Sequence, residues 1–136
     1  MKNSILLLIF GATMLLVSCG LGEGSDVSPI KKGMVKVTIL YLNEEGKTFD
    51  MEYYANNHMP MVADLFGESL KKFEIDKGIS GRTPEDATPY VALGYLYFDT
   101  LADYQEAFGS HGSQILEDIP NYTDIQPMIQ ISEVVQ

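Results

Sequence analysis

Two histidines, His58 and His111, are the side chains of this chain that titrate near neutral pH without perturbation. His58 closes the run Tyr53-Tyr54-Ala55-Asn56-Asn57-His58 and lies four residues after Tyr54. On a helix that spacing puts an imidazole and a phenol on one face, and the end of a helical segment favours the imidazolium. The pair suits general acid or base chemistry, or polarisation of a carbonyl, with Tyr53 or Tyr54 orienting the ring or the ligand. The competing role is structural, with His58 capping free carbonyls where Pro60 interrupts the helix. His111 follows Gly109-Ser110, where Ser110 is expected to cap a second helical segment; it either lines the same pocket or makes a packing or surface hydrogen bond. The histidines stand far apart in sequence among scattered carboxylates, and CxxC, HExxH and a Gly-rich phosphate loop are all missing. No metal, nucleotide or other cofactor is therefore expected.

These residues need a scaffold. Val35, Val37, Ile39 and Tyr41 alternate as a first strand. Asp50 is placed as an N-cap, Glu52 sits in the first turn, and Phe49 with Tyr54 forms a hydrophobic staple, so a helix is predicted to start at Met51. It should break near Met59, ahead of Pro60, and a second segment carrying Met61, Val62, Leu65 and Phe66 should run to Gly67. Leu70, Phe73 and Ile75 mark a second strand. The uncharged run Tyr90 to Phe98 marks a third, which must be covered on both faces. Thr100 and Asp103 resemble a capping box ahead of Leu101, Tyr104, Ala107 and Phe108, with Gly109 interrupting and Ile115, Leu116 and Ile119 forming a further short segment. Ile125, Ile129, Ile131 and Val135 mark the last strand.

The order is β-α-β-β-α-β, an α+β chain of ferredoxin-like plan with a four-stranded antiparallel sheet. Two helices cover one face, and the other, which includes part of the uncharged strand, is expected to be a large apolar patch. Pairing with a second copy would bury it, giving a homodimer with a barrel between the subunits. Tyr95 and Tyr97 share a strand face and would line that barrel side by side.

Four strings then match in order: Tyr53 to Val62, Phe108 to His111, Asp118 to Asp124, and Gln130 to Val134. From about Val35 to its end the chain resembles the EthD family. The resemblance implies a dimeric α+β barrel, a superfamily that includes monooxygenases, isomerases, polyketide cyclases and heme-handling proteins. It implies more about fold and pocket than about reaction. It also brings the turn residues Tyr122 and Asp124 into the candidate site, giving His58 and Tyr54 as catalytic candidates and Tyr53, His111, Tyr122, Asp124, Tyr95 and Tyr97 as binding candidates. The expected function is binding of a small, mostly apolar molecule, with cofactor-independent acid/base or oxidative chemistry at His58, of an oxidoreductase or an isomerase or cyclase. The alternative is a non-catalytic, lipid-anchored binding module.

Length and charge bound the rest. The 136 residues carry 9 basic and 19 acidic side chains and one cysteine, so an intrachain disulfide is impossible and nucleic acid is not an expected partner. Residues 1–18 have Lys2 followed by a short apolar run, too short to span a bilayer at about 20 residues and suited to an export signal. Leu16-Val17-Ser18-Cys19 resembles the bacterial lipoprotein signal, in which the cysteine is acylated. The chain therefore divides into a signal peptide (1–18), a lipidated Cys19 with a Gly-rich tether (19–33), and a folded domain (34–136). The expected place is the cell envelope, with the membrane held by the lipid anchor only.

Overall fold

The computed structural model describes residues 29–136. The signal peptide, Cys19 and most of the tether lie outside the described residues. Strand β1 (Val35–Leu42) leads to a short α1 (Met51–Tyr53), a π-helical segment (Tyr54–His58) and α2 (Met59–Phe66). Strands β2 (Leu70–Lys77) and β3 (Tyr90–Phe98) form a hairpin, followed by α3 (Leu101–Asp118) and β4 (Met128–Glu133). All pairings are antiparallel and the strand order is β2-β3-β1-β4. This is the ferredoxin-like α+β architecture that the element order implies.

The local signals at helix starts hold. Asp50 Oδ1 accepts the Tyr53 amide at 3.0 Å, and the Phe49 and Tyr54 rings lie 5.2 Å apart. Thr100 and Asp103 make the reciprocal bonds of a capping box. The interruption predicted near Met59 takes the form of a change of helical type, with α2 starting at Met59 and ending at Gly67 as expected, and the one predicted at Gly109 does not occur. The chain passes Pro60 without breaking because the preceding turn widens to π geometry, with the Met59 amide bonded to the Tyr54 carbonyl, and Pro60 sits in the first turn of α2, where its missing N–H costs little. Likewise α3 runs 18 residues through Gly109. Its buried face of Ala107, Gly112 and Ile115 outweighs a glycine cost of about 1 kcal/mol. Ser110 is therefore not a cap. Ile125 is not in the last strand either: it is buried ahead of it, and Pro127, which has no N–H for a ladder, separates the two.

The helices cover one face of the sheet, where Val37, Tyr41, Ala92, Leu96 and Phe98 are buried. The opposite face is not the purely apolar patch expected. The neighbours of β3 bring Lys36, Thr38, Lys72 and Glu74 into register with Tyr95 and Tyr97. The Tyr97 hydroxyl donates to Glu74 at 2.9 Å, Lys72 pairs with Glu74 at 2.8 Å, and Lys36 stands over the Tyr95 ring at 5.1 Å. This face is mixed, amphipathic and open.

One close approach fixes how the first helical stretch meets the sheet. Tyr54 is fully buried, and its hydroxyl sits over Gly94 of β3, where any Cβ would collide with it. Gly94→Ala should therefore lower stability by about 1 to 3 kcal/mol. Adding Tyr54→Phe should recover most of that loss, because the remaining ring and Ile39 contacts at that Cβ are ordinary van der Waals distances. Denaturant unfolding of the four proteins of this cycle measures the coupling, and additive losses would contradict the packing described.

Candidate active site

The widened turn places His58 beneath α2, 4% exposed, with its ring stacked on Tyr54 at 5.7 Å and 19°. Asp118, the last residue of α3, meets it there: His58 Nδ1 is 2.8 Å from Asp118 Oδ2. An acid at a helix C-terminus opposes the macrodipole. Asp118 is held there by donors, since Oδ1 also accepts the Tyr53 hydroxyl at 3.0 Å and the Asn121 amide at 2.8 Å.

The electrostatics follow from this arrangement. Burial pushes the His58 pKa below the usual 6.5, and the bond to Asp118 offsets only part of that. Burial pushes Asp118 up, but the bonds from His58, Asn121 and Tyr53 outweigh it and its pKa falls. The Tyr53 phenol is pushed up by its bond to Asp118 and stays a donor. The pair is thus a neutral imidazole donating from Nδ1 to a carboxylate, with Nε2 as the free nitrogen. Burial works against the imidazolium expected at a helix end, and the helical stretch does not end at His58 but continues into α2.

Beyond His58 lies a cavity of about 230 Å³ between the helices and the sheet. Val37, Ile39, Val62, Leu96 and Ile115 give it an apolar wall, and among the described residues His58 is the only lining side chain of a type that titrates near neutrality. Tyr122 stands behind the imidazole, 4.6 Å between ring centroids, and shares a 2.6 Å hydrogen bond with the Tyr41 hydroxyl. Burial pushes Tyr41 up to about 12 and raises Tyr54 and Tyr122 as well, so these phenols stay neutral.

The candidate residues therefore separate. Tyr53, Tyr54, His58 and Tyr122 are brought together, with only His58 on the cavity wall and the three tyrosines packed around or behind it. His111 lies midway along α3 and lines none of the cavities described. Asp124 is exposed and braces the loop before α1, accepting the Thr48 amide at 2.8 Å and pairing with Lys47 at 3.8 Å. Tyr95 and Tyr97 are on the far face of the sheet. Sequence reasoning missed Asp118 as a site residue, although an acid in a last helical turn is a misfit that signals a partner.

The ferredoxin-like α+β domain thus has an apolar cavity on the helix side of its sheet, with His58 in the wall and the Asp118 carboxylate behind it. The family model for the EthD domain matches residues 45–126, and the chain belongs to that family. An EthD-like protein from Ralstonia eutropha JMP134 is 40% identical, with a TM-score of 0.74 over 78% of this chain and 96% of that one. An EthD family protein from Bacillus halodurans C-125 is 19% identical (TM-score 0.52, covering 74% and 97%). A hydroxynitrile lyase from Passiflora edulis is 8% identical (TM-score 0.51, covering 78% and 97%). These two more distant proteins share the fold. No curated protein matches the chain.

The paired geometry makes a direct prediction. In Asp118→Asn the His58 pKa should fall further, since the charge that partly restores it is gone while burial remains. Titration of the imidazole by NMR checks the sign, and an unchanged or raised pKa would show that Asp118 does not act on His58.

Proposed function

We propose that the domain takes a small, mostly apolar molecule into this cavity and that His58, held by Asp118, acts on it as a general base. The observation that carries the reading is the 2.8 Å bond from Nδ1 to a carboxylate outside the cavity, on a ring that forms part of the cavity wall. That bond fixes the tautomer and directs the basic Nε2 lone pair inward. Removing a proton from a bound molecule and returning it elsewhere is the step shared by isomerisation and cyclisation, and these residues carry it by themselves. Tyr54 and Tyr122 orient the ring, and Tyr53 and Asn121 hold the carboxylate.

The test starts from the molecule that copurifies with residues 29–136, identified by mass spectrometry. It should be small, neutral and largely apolar. His58→Gln should slow its conversion by about 10² to 10⁴ while circular dichroism shows the fold intact. Conversion at the wild-type rate would remove the base role, and a bound molecule that neither protein converts would make the domain a carrier.

The reading extends to assembly and place. The open face bearing Tyr95 and Tyr97, extended by an edge strand that exposes Met128 on the same side, supports pairing with a second copy. The residues before Cys19 support lipid anchoring in the cell envelope. Sedimentation reads both: the full chain should need detergent, Cys19→Ala should not, and both should run as two-subunit species. A monomer at micromolar concentration, or a variant that still needs detergent, would contradict the corresponding half.

A further inference from the structure

The shape of the cavity and the placement of its free polar groups specify the substrate more closely. Its wall runs from His58, at the end of the π segment, along α2 to Phe66, about 12 Å of helix axis, and along α3 from Leu116 back to Tyr104, about 18 Å. The two helices run in opposite directions, since His58 meets Asp118 at the end of α3 while Phe66 packs on Phe98 and Phe98 on Tyr104 near its start. The space is thus a slot with an imidazole at one end and aromatic rings at the other. At about 230 Å³ it is smaller than the roughly 300 to 1,000 Å³ of sites for drug-sized ligands.

Few polar groups are left for a guest. The Tyr41 hydroxyl is bonded to Tyr122 and His58 Nδ1 to Asp118. His58 Nε2, the Gln126 amide and the Tyr104 hydroxyl remain, and among the described residues the wall contains no Lys, Arg, Asp or Glu. Tyr104 stands at the far end. Gln126 belongs to the His58 end, because it also lines the surface groove of Asn121 to Asp124, whose Tyr122 ring packs against His58. Exposed Leu116, Gln126 and Ile129 mark the mouth on this side.

We propose that Gln126 is the specificity-determining residue of this site and that its substrate is a neutral carbonyl compound with one slender apolar tail. The tail lies between α2 and α3, and the carbonyl stays near the mouth, where it accepts a hydrogen bond from the Gln126 amide N–H. The inference rests on the general-base reading of His58. In the reaction, the bond from the carbon beside the carbonyl to hydrogen breaks, and the proton passes to Nε2. The electron pair moves onto the carbonyl oxygen, and the resulting enolate oxygen keeps its bond to Gln126. Return of the proton to the same carbon or to a conjugated one regenerates the imidazole. A carboxylate guest is disfavoured, since the wall offers no cation and the Asp118 charge lies just behind the imidazole.

The test uses 2-nonanone and nonanoate as probes with residues 29–136, in D₂O at neutral pH. Ligand-observed NMR reads binding, and loss of the signal from the protons beside the carbonyl reads exchange. The ketone should bind at least tenfold more tightly than nonanoate. Gln126→Leu should weaken ketone binding about tenfold, the scale of one lost hydrogen bond in an apolar site. His58→Gln should keep binding and stop the exchange. Equal binding of the two probes, or ketone affinity unchanged in Gln126→Leu, overturns the inference. Binding that depends on Gln126 without any exchange would uphold the head-group assignment and overturn the base reading instead.

Discussion

A carboxylate in the last turn of a helix faces the negative end of the macrodipole, and burial makes its charge more expensive still. Asp118 occupies that position and is nevertheless ionised, because Tyr53, Asn121 and His58 each donate a hydrogen bond to it. These donors come from different parts of the chain: the first helical stretch, its π segment and the turn after α3. Satisfying one acid therefore ties α1 and α2 to the end of α3. It also fixes which imidazole nitrogen is left free, so the constraint that joins the helices sets the chemistry of the site.

The π segment and Gly94 serve the same geometry from the other side. A regular α-helix from Met51 through Pro60 would drive the proline ring into the preceding turn. The wider turn avoids that conflict and brings Tyr54 and His58 into a stack, with both buried against the sheet. Tyr54 can descend that far only because β3 offers a residue without a Cβ beneath it. Its hydroxyl has no partner among the described residues, a cost accepted where the ring backs the imidazole. The approach of helix to sheet, the tilt of the histidine and the depth of the cavity are thus parts of one packing solution.

Much of this was legible in the sequence, in a patterned way. Caps, staple, element order and the gathering of Tyr53, Tyr54, His58 and Tyr122 follow from signals that act over a few residues or from the matched strings. What escaped depends on partners distant in sequence. Gly109 reads as an interruption only until Ala107, Gly112 and Ile115 are buried on the same face. The strand Tyr90–Phe98 reads as apolar on both sides because its own residues carry no charge, while Lys36 and Glu74 arrive from its neighbours. Asp118 is 60 residues from His58, and a local rule sees only an acid in the wrong turn. The misfit was visible; its partner was not.

The charge of the chain bears on what can reach the site. From Met34 onward there are 6 basic and 17 acidic residues, and none of the basic ones lies beyond Arg82. Those acids are outside the cavity wall, which among the described residues contains no carboxylate or ammonium. A negative exterior around a neutral slot lowers the local concentration of anions and leaves uncharged molecules unaffected. Inside, a free cation to receive a carboxylate is lacking and the nearest fixed charge is Asp118. The surface field and the cavity chemistry therefore select in the same direction. The neutral guest we propose, with a hydrogen-bond acceptor at one end, would meet no opposing charge at either stage, and burial favours the neutral form of His58.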